Sequence, residues 1–242
     1  LLWYSLAPDP GQPLHPTALN DFGLTLGAAW GFNAYNPNAY TSAATFDGSA
    51  APTSSSKAWF DAYGREKADE LRAAKAASPT ALMIHDTDVI VLPTAVVALH
   101  NSSVVDPTTG RLSIDMPGTL PLIAQMIDET FARFPASDGL QVRVGENNVM
   151  DTPYHTGASA VDFSLSRSEQ QRQYVKLIAF LREVVCVKHN RTLVFRTWDT
   201  AGFVKTDPPR FHGDLEYYLN VTNQVEPARA SIDTGGGSLV TN

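Results

Sequence analysis

Three carboxylate residues each follow a run typical of a buried strand, and they are the residues best placed for acid–base chemistry: Glu146, Asp199 and Asp233. Glycoside hydrolysis needs two carboxyl groups, one protonated and one ionised. Burial at a crowded strand end raises the pKa of a Glu, which then keeps the proton that it must donate. The positions indicate Glu146 as a candidate general acid, with the base at Asp199, at Asp233 or beyond Asn242.

The polar and aromatic residues near these carboxylates suit recognition of a sugar. Planar rings stack on pyranose faces, while amide, imidazole and guanidinium groups reach hydroxyls or a uronic carboxylate. The candidate substrate-binding residues are His85, Asp88, Asn147, Tyr154, His155, Arg196 and Trp198. Two structural alternatives stay open: Glu146 forms a salt bridge with Arg143 or Arg196, and residues 86–88 form a turn.

The composition excludes several classes of partner and cofactor. The 242 residues carry a formal net charge of −7, so the chain lacks the basic surface that binds nucleic acid. The longest apolar stretch, residues 80–99, is interrupted by charged residues and Pro93, so no membrane span is expected. With Cys186 as the single cysteine, no histidine pair at helical spacing and no Gly-rich nucleotide loop, neither a metal nor another cofactor is expected.

Three sequons favour a secreted glycoprotein, in the extracellular space or the secretory pathway. They begin at Asn101, Asn190 and Asn220. Chance alone would supply about one sequon in a chain with this many asparagines, so three sequons weakly favour glycosylation.

Helical and extended segments alternate along the chain. The predicted strands cover residues 1–5, 30–35, 81–84 with an extension at 89–92, 139–144, 191–198 and 228–232. The predicted helices cover residues 16–29, 57–77, 117–134, 167–188 and 215–221, with Ser56 as the cap of the second and Trp59 and Tyr63 on its buried face.

Right-handed crossovers between such strands imply a parallel α/β sheet. Long loops after the strands favour a (β/α)8 TIM-type barrel over a doubly wound sheet. About six βα units are expected, forming one partial barrel domain over residues 1–242 that is a segment of a longer chain. Open sheet edges would then be covered by the missing remainder of the barrel or by other chains.

Five segments of the sequence together resemble a known group of proteins. They are Gly139-Leu-Gln-Val-Arg-Val-Gly-Glu146, Asp151-Thr-Pro-Tyr-His-Thr-Gly157, Leu193-Val-Phe-Arg-Thr-Trp198, Tyr217-Tyr-Leu-Asn-Val-Thr-Asn-Gln-Val-Glu-Pro227 and Ser231-Ile232. Across residues 80–239 the chain resembles a group of large glycosidase-like proteins, and that group is distantly similar to the α-glucuronidases of glycoside hydrolase family 67.

The resemblance implies a (β/α)8 catalytic barrel that acts on a uronic-acid or related glycoside, with Glu146 as general acid and Arg196 and Trp198 in the sugar subsite. The chain departs from the family pattern at Ser238, where the pattern has Asp, and at Asp233, where it has Lys. The water-activating half of the site is therefore expected to be altered. A non-catalytic secreted carbohydrate-binding or structural glycoprotein is the alternative, and a phosphate-handling barrel enzyme is a weaker one.

Overall fold

A computed structural model describes residues 3–5, 34–36, 40–88, 90–144, 152–158, 162, 164–197 and 238–241. The predicted helices at 16–29 and 215–221 and the predicted strand at 228–232 lie outside these described residues.

A six-stranded sheet with helices packed on it forms the described part of the chain. The strands are β1 (Trp3–Ser5), β2 (Ala34–Asn36), β3 (Leu82–Asp88), β4 (Val91–Pro93), β5 (Gly139–Val144), β6 (His155–Gly157), β7 (Thr192–Thr197) and β8 (Ser238–Thr241). The main sheet has the order β1-β2-β3-β5-β7-β8, and β4 pairs with β6 in a separate antiparallel ribbon. Neighbours from β1 to β7 are parallel, which confirms the predicted α/β class and parallel sheet.

One edge of the sheet departs from the all-parallel expectation. Strand β8 pairs with β7 in the antiparallel direction, with Leu193 opposite Thr241 and Arg196 opposite Ser238. No strand was predicted at these residues, because Ser238–Thr241 follows three glycines and has only Leu239 and Val240 as apolar members.

Four of the helices are α-helical throughout and the fifth changes type near its end. They are α1 (Ser54–Ala77), α2 (Thr94–Leu99), α3 (Asn101–Val104), α4 (Thr119–Arg133) and α5 (Arg167–Leu181), which continues as a π-helix over Arg182–Lys188. Helix α1 begins earlier than predicted because Thr53, and not Ser56, is its N-cap. The two side chains form a capping box, in which the Thr53 hydroxyl accepts from the Ser56 N–H and the Ser56 hydroxyl accepts from the Thr53 N–H.

The helices cover one face of the sheet, because strand residues alternate between faces. Leu140, Val142 and Leu193 lie in the core that α4 and α5 complete. The α4 and α5 residues of this core include Ile123, Met126, Ile127, Tyr174, Leu177, Ile178 and Leu181. A second buried cluster places Leu71 and Ala74 of α1 against Met83 of β3. The opposite face of the sheet is therefore free of these two helix-packed clusters.

A strained turn between β2 and α1 is held by one carboxylate of α4. Phe46, Asp47 and Gly48 have φ values of 50°, 55° and 90°, and the bulky Phe46 side chain disfavours this left-handed region. Glu129 accepts hydrogen bonds from the Thr45 N–H at 2.6 Å, the Thr45 hydroxyl at 2.7 Å and the Phe46 N–H at 2.8 Å. Glu129 thus satisfies the amide groups that the strained backbone brings together.

Glu129→Ala is expected to lower the free energy of unfolding by about 2–3 kcal/mol, since hydrogen bonds to a charged group contribute roughly 1.5–3 kcal/mol. Urea denaturation at pH 7 measures the change. Gln125→Ala is the control, because Gln125 is exposed one turn earlier in the same helix. Equal stability of the two variants would show that the turn does not depend on the carboxylate.

Candidate functional site

The carboxyl ends of the parallel strands carry a row of polar positions. The register pairs Asp88 of β3 with Arg143 of β5, and Arg143 with Arg196 of β7. Arg196 is in turn opposite Ser238 of β8. Paired positions share a face of a sheet, so these four positions, here called the strand-end row, cross four adjacent strands on one face. Sites in parallel α/β proteins form at this end of the strands.

A buried carboxylate lies one step further into the same face. Asp86 pairs with Gln141 in the register, and the Gln141 amide donates a 2.7 Å hydrogen bond to Oδ1 of Asp86. Both side chains are buried, as is that of Asp88. A buried charge is costly unless it is hydrogen-bonded, so this pairing holds a carboxylate in place beneath the strand-end row.

Several predicted site residues lie outside the described residues but follow the described strands closely in sequence. Glu146 comes two residues after β5 ends at Val144, and Trp198 and Asp199 directly follow Thr197 at the end of β7. Asn147, Asn220 and Asp233 also lie outside the described part of the chain.

His85 lies on the opposite face of β3 from Asp88. Its side chain is fully buried on the helix side, stacked on Tyr40 with ring centroids 5.0 Å apart and near Phe131. Neither ring nitrogen has a hydrogen-bond partner among the described residues, and burial lowers the pKa of His85 to about 3. The structure thus separates His85 from Asp88, two residues that the sequence analysis placed in one binding site.

Tyr154 and His155 lie at a second location, on the ribbon of β4 and β6 where it meets α1. Trp59 of α1 stacks on Tyr63 with centroids 4.8 Å apart, and it meets the edge of Tyr154 at 5.9 Å. These three rings are here called the aromatic platform. The ring of His155 supports the platform at 5.8 Å from Trp59 and 5.5 Å from Phe60.

Gln141 and Arg143 were not among the predicted site residues, and Trp59 and Tyr63 were predicted to lie on a buried helix face. Both rings are half-buried and contribute to the platform. A signal for the β5 residues was present, because the polar residues Gln141 and Arg143 alternate with apolar ones.

Two predicted glycosylation sites fall on the surface. Asn101 and Asn190 are exposed, and Asn190 has a φ of 50° in the turn before β7. Among the described residues no group of three or more His, Cys, Asp or Glu side chains is arranged to hold a metal ion. The helices that the structure describes include none with the length and apolarity required to cross a membrane.

Comparison with known proteins supplies no relative. No protein-family model matches the chain, and no match was found among curated proteins or solved structures. The interpretation of the strand-end row and the aromatic platform therefore rests on the geometry of this chain.

Proposed function

We propose that this chain is the catalytic domain of a glycoside hydrolase that acts on a uronic-acid-type glycoside. The observation that carries the proposal is the strand-end row, in which Asp88, Arg143 and Arg196 occupy adjacent strands of a parallel sheet at its carboxyl end. Two arginines and one aspartate in a row suit a substrate that carries a carboxylate and hydroxyl groups, since a guanidinium binds a carboxylate through two parallel hydrogen bonds.

The strand order supports a (β/α)8 barrel as the fold of the intact domain. The parallel strands β1, β2, β3, β5 and β7 lie side by side in chain order. A doubly wound sheet reverses its strand order at a switch point, whereas barrel strands follow one another without reversal. In this proposal β8 is an additional strand that pairs at the edge of β7 and is not a member of the barrel.

The proposed reaction transfers the proton of the Glu146 carboxyl group to the glycosidic oxygen while the bond from that oxygen to the anomeric carbon breaks. Arg196 binds the uronic carboxylate and Trp198 stacks on the sugar ring. Water then attacks the anomeric carbon and gives its proton to a base, for which Asp199 and Asp233 are the candidates. Glu146 comes two residues after the end of β5, and Asp199 comes two residues after the end of β7. The ends of β5 and β7 are paired, so the two residues follow neighbouring strand ends.

One observation favours the alternative of a non-catalytic carbohydrate-binding glycoprotein. Ser238 is opposite Arg196 in the register, and the family that the sequence resembles has an aspartate at that position of its pattern. A hydroxyl in place of a carboxylate cannot accept a proton from water at neutral pH. In that case the strand-end row binds the uronic sugar and no hydrolysis follows.

Glu146→Gln is expected to lower kcat/KM for alkyl glucuronides, whose alcohol leaving group needs a proton, by about 10²–10⁴-fold, the usual contribution of a general acid, while glucuronate still binds. Arg196→Met is expected to weaken glucuronate binding by about tenfold or more, since a charge-assisted hydrogen bond contributes roughly 1.5–3 kcal/mol. Enzyme assays and isothermal titration calorimetry measure the two effects. Arg65→Met is the matched control, because Arg65 is exposed on α1 and away from the strand-end row.

The outcomes separate the two functions. Hydrolysis by the wild type that Glu146→Gln removes supports the hydrolase. Glucuronate binding that Arg196→Met removes, without hydrolysis by the wild type, supports the binding protein. Binding that is the same in Arg196→Met and Arg65→Met would contradict both.

A further inference from the structure

We propose that the aromatic platform of Trp59, Tyr63 and Tyr154 binds a second sugar ring, so that the chain takes an oligosaccharide and not only a single uronic residue. This inference rests on the proposed function for the identity of the ligand. The contacts that define the platform lie outside the strand-end row and are independent of it.

Tyr154 is held outward by a backbone that tyrosine seldom adopts. Its φ is 64°, in the left-handed region, and its side chain is 42% exposed. The Thr94 N–H donates a 2.8 Å hydrogen bond to the Tyr154 carbonyl, which fixes this conformation at the start of α2. Strain of this kind persists where the surrounding structure imposes it, and it clusters at ligand-binding positions.

A rigid support lies beneath the rings. Because a carbonyl oxygen only accepts, Nδ1 of His155 donates the 2.9 Å hydrogen bond to the Pro153 carbonyl, which fixes the orientation of the imidazole. Pro93 of β4 pairs with His155, so the ribbon and α1 hold the platform from two sides. Rings that are already ordered lose little conformational entropy when a ligand stacks on them.

The platform is close to the strand-end row along the chain. Asp88, the last residue of β3, is five residues before Pro93, which pairs with His155. Five extended residues span at most about 18 Å, so the platform lies within reach of a short oligosaccharide that starts at the row. This continuity argues for a further ring of the same ligand.

The chemistry of the platform favours a sugar over a protein partner. Tyr154 is its exposed ring, with Trp59 half-buried at its edge. Tyr63 supports Trp59 from behind, between the indole and the Lys67 ammonium. An aromatic ring with a phenol hydroxyl can stack on a sugar and bind its hydroxyls. Tyr154 is one of four exposed large apolar side chains among the described residues, the others being Leu99, Leu165 and Val187. A protein interface needs a broad apolar centre, whereas one sugar ring needs one or two aromatic faces.

Tyr154→Asn tests the inference, because asparagine tolerates the left-handed backbone and lacks the ring. The protein is made in a host without N-glycosylation, because this substitution places an asparagine two residues before Thr156 and so creates a sequon. Binding of hexagalacturonic acid, cellohexaose and free glucuronic acid is measured through the change in tryptophan fluorescence. We expect a hexasaccharide to quench the wild type and its Kd to rise about five- to tenfold in Tyr154→Asn, with glucuronic acid unaffected. Leu99→Asn removes a comparable exposed apolar side chain as the control. Trp59→Phe is expected to lose the part of the quenching that comes from Trp59 and to keep the part that comes from Trp198.

The result that overturns the inference is a hexasaccharide Kd that is equal in Tyr154→Asn and the wild type, or binding of neither hexasaccharide. Failure of the proposed function has a different signature. In that case glucuronic acid does not bind, or Arg196→Met does not weaken it, while a hexasaccharide still quenches the fluorescence of Trp59.

Discussion

Acidification from pH 7.5 to pH 5 is expected to lower the free energy of unfolding by about 3–4 kcal/mol, because two histidines stay neutral in the folded chain. Burial lowers the pKa of His85 to about 3 and that of His155 to about 4. In the unfolded chain both rings take up a proton near pH 6.5. At pH 5 each histidine therefore favours the unfolded state by about 2 kcal/mol, at 1.36 kcal/mol for each unit between 6.5 and 5.

The sign and the pH window follow from the depressed values. The stabilising effect of a neutral buried histidine is complete above pH 6.5, and it is lost as the pH falls toward the folded-state pKa. The salt-bridged carboxylate of Asp115 has a lowered pKa, so it loses stability only near and below pH 4. Glu70 acts in the opposite direction, because burial raises its pKa and the folded chain takes up its proton first.

His85→Leu isolates one half of the effect. Leucine has about the volume of histidine and leaves no unpaired ring nitrogen against Tyr40, so the variant is expected to lose about half of the pH dependence. Urea denaturation at pH 7.5 and pH 5 gives both free energies. His100→Gln, at an exposed histidine, is the control and should retain the full difference. An unchanged pH dependence in His85→Leu would show that His85 takes up its proton without unfolding.

Helices α1, α4 and α5 could be predicted because their signals are local, whereas the short helices α2 and α3 were not predicted. The alternation of Leu140, Val142 and Val144 with polar residues is typical of a strand. The spacing of Ile123, Met126 and Ile127 marks the buried side of α4. Crossover handedness then gives the parallel direction without further information.

The faces of β3 could not be predicted, because the signal that distinguishes them is absent. Its last five residues, Ile84 to Asp88, are all buried, so apolar and polar residues do not separate by face. Only the tertiary contacts show which face each side chain lies on. Asp86 accepts a hydrogen bond from Gln141, while His85 stacks on Tyr40, which is far away in sequence. The aromatic platform was missed for the same reason, since it joins α1 to a ribbon about ninety residues later.

Breaking a buried ion pair in α1 is the second change for which we expect a large loss of stability. Nζ of Lys67 lies 2.9 Å from Oε2 of Glu70, and their side chains are 3% and 4% exposed. The Lys67 ammonium also lies 5.7 Å from the ring centroid of Tyr40 and 5.4 Å from that of Tyr63, within the range of a cation–π interaction. Burial raises the pKa of Glu70 in spite of this lysine, so the carboxylate depends on its partner to stay ionised.

Lys67→Met is expected to lower the free energy of unfolding by about 3 kcal/mol at pH 7, because it leaves the Glu70 carboxylate buried and unpaired. Protonation limits the electrostatic part of the loss. Taking Glu70 from an ordinary pKa near 4.5 to the neutral form costs about 3.4 kcal/mol at pH 7 and about 0.7 kcal/mol at pH 5. The difference in free energy of unfolding between variant and wild type should therefore shrink as the pH falls. A simple packing defect would give a difference that does not depend on pH.

Two further variants distinguish the loss of the charge from the loss of packing. Lys67→Met combined with Glu70→Leu removes both charges and is expected to regain most of the stability, since a buried pair roughly balances its own desolvation. Arg72→Met is the matched control, because Arg72 pairs with Asp69 at the same spacing in the same helix with side chains 75% and 67% exposed. Exposed pairs contribute about 0–1 kcal/mol, so this variant should stay near the wild type. A double variant as unstable as Lys67→Met would mean that the lysine acts through its packing on Tyr40 and Tyr63 and not through its charge.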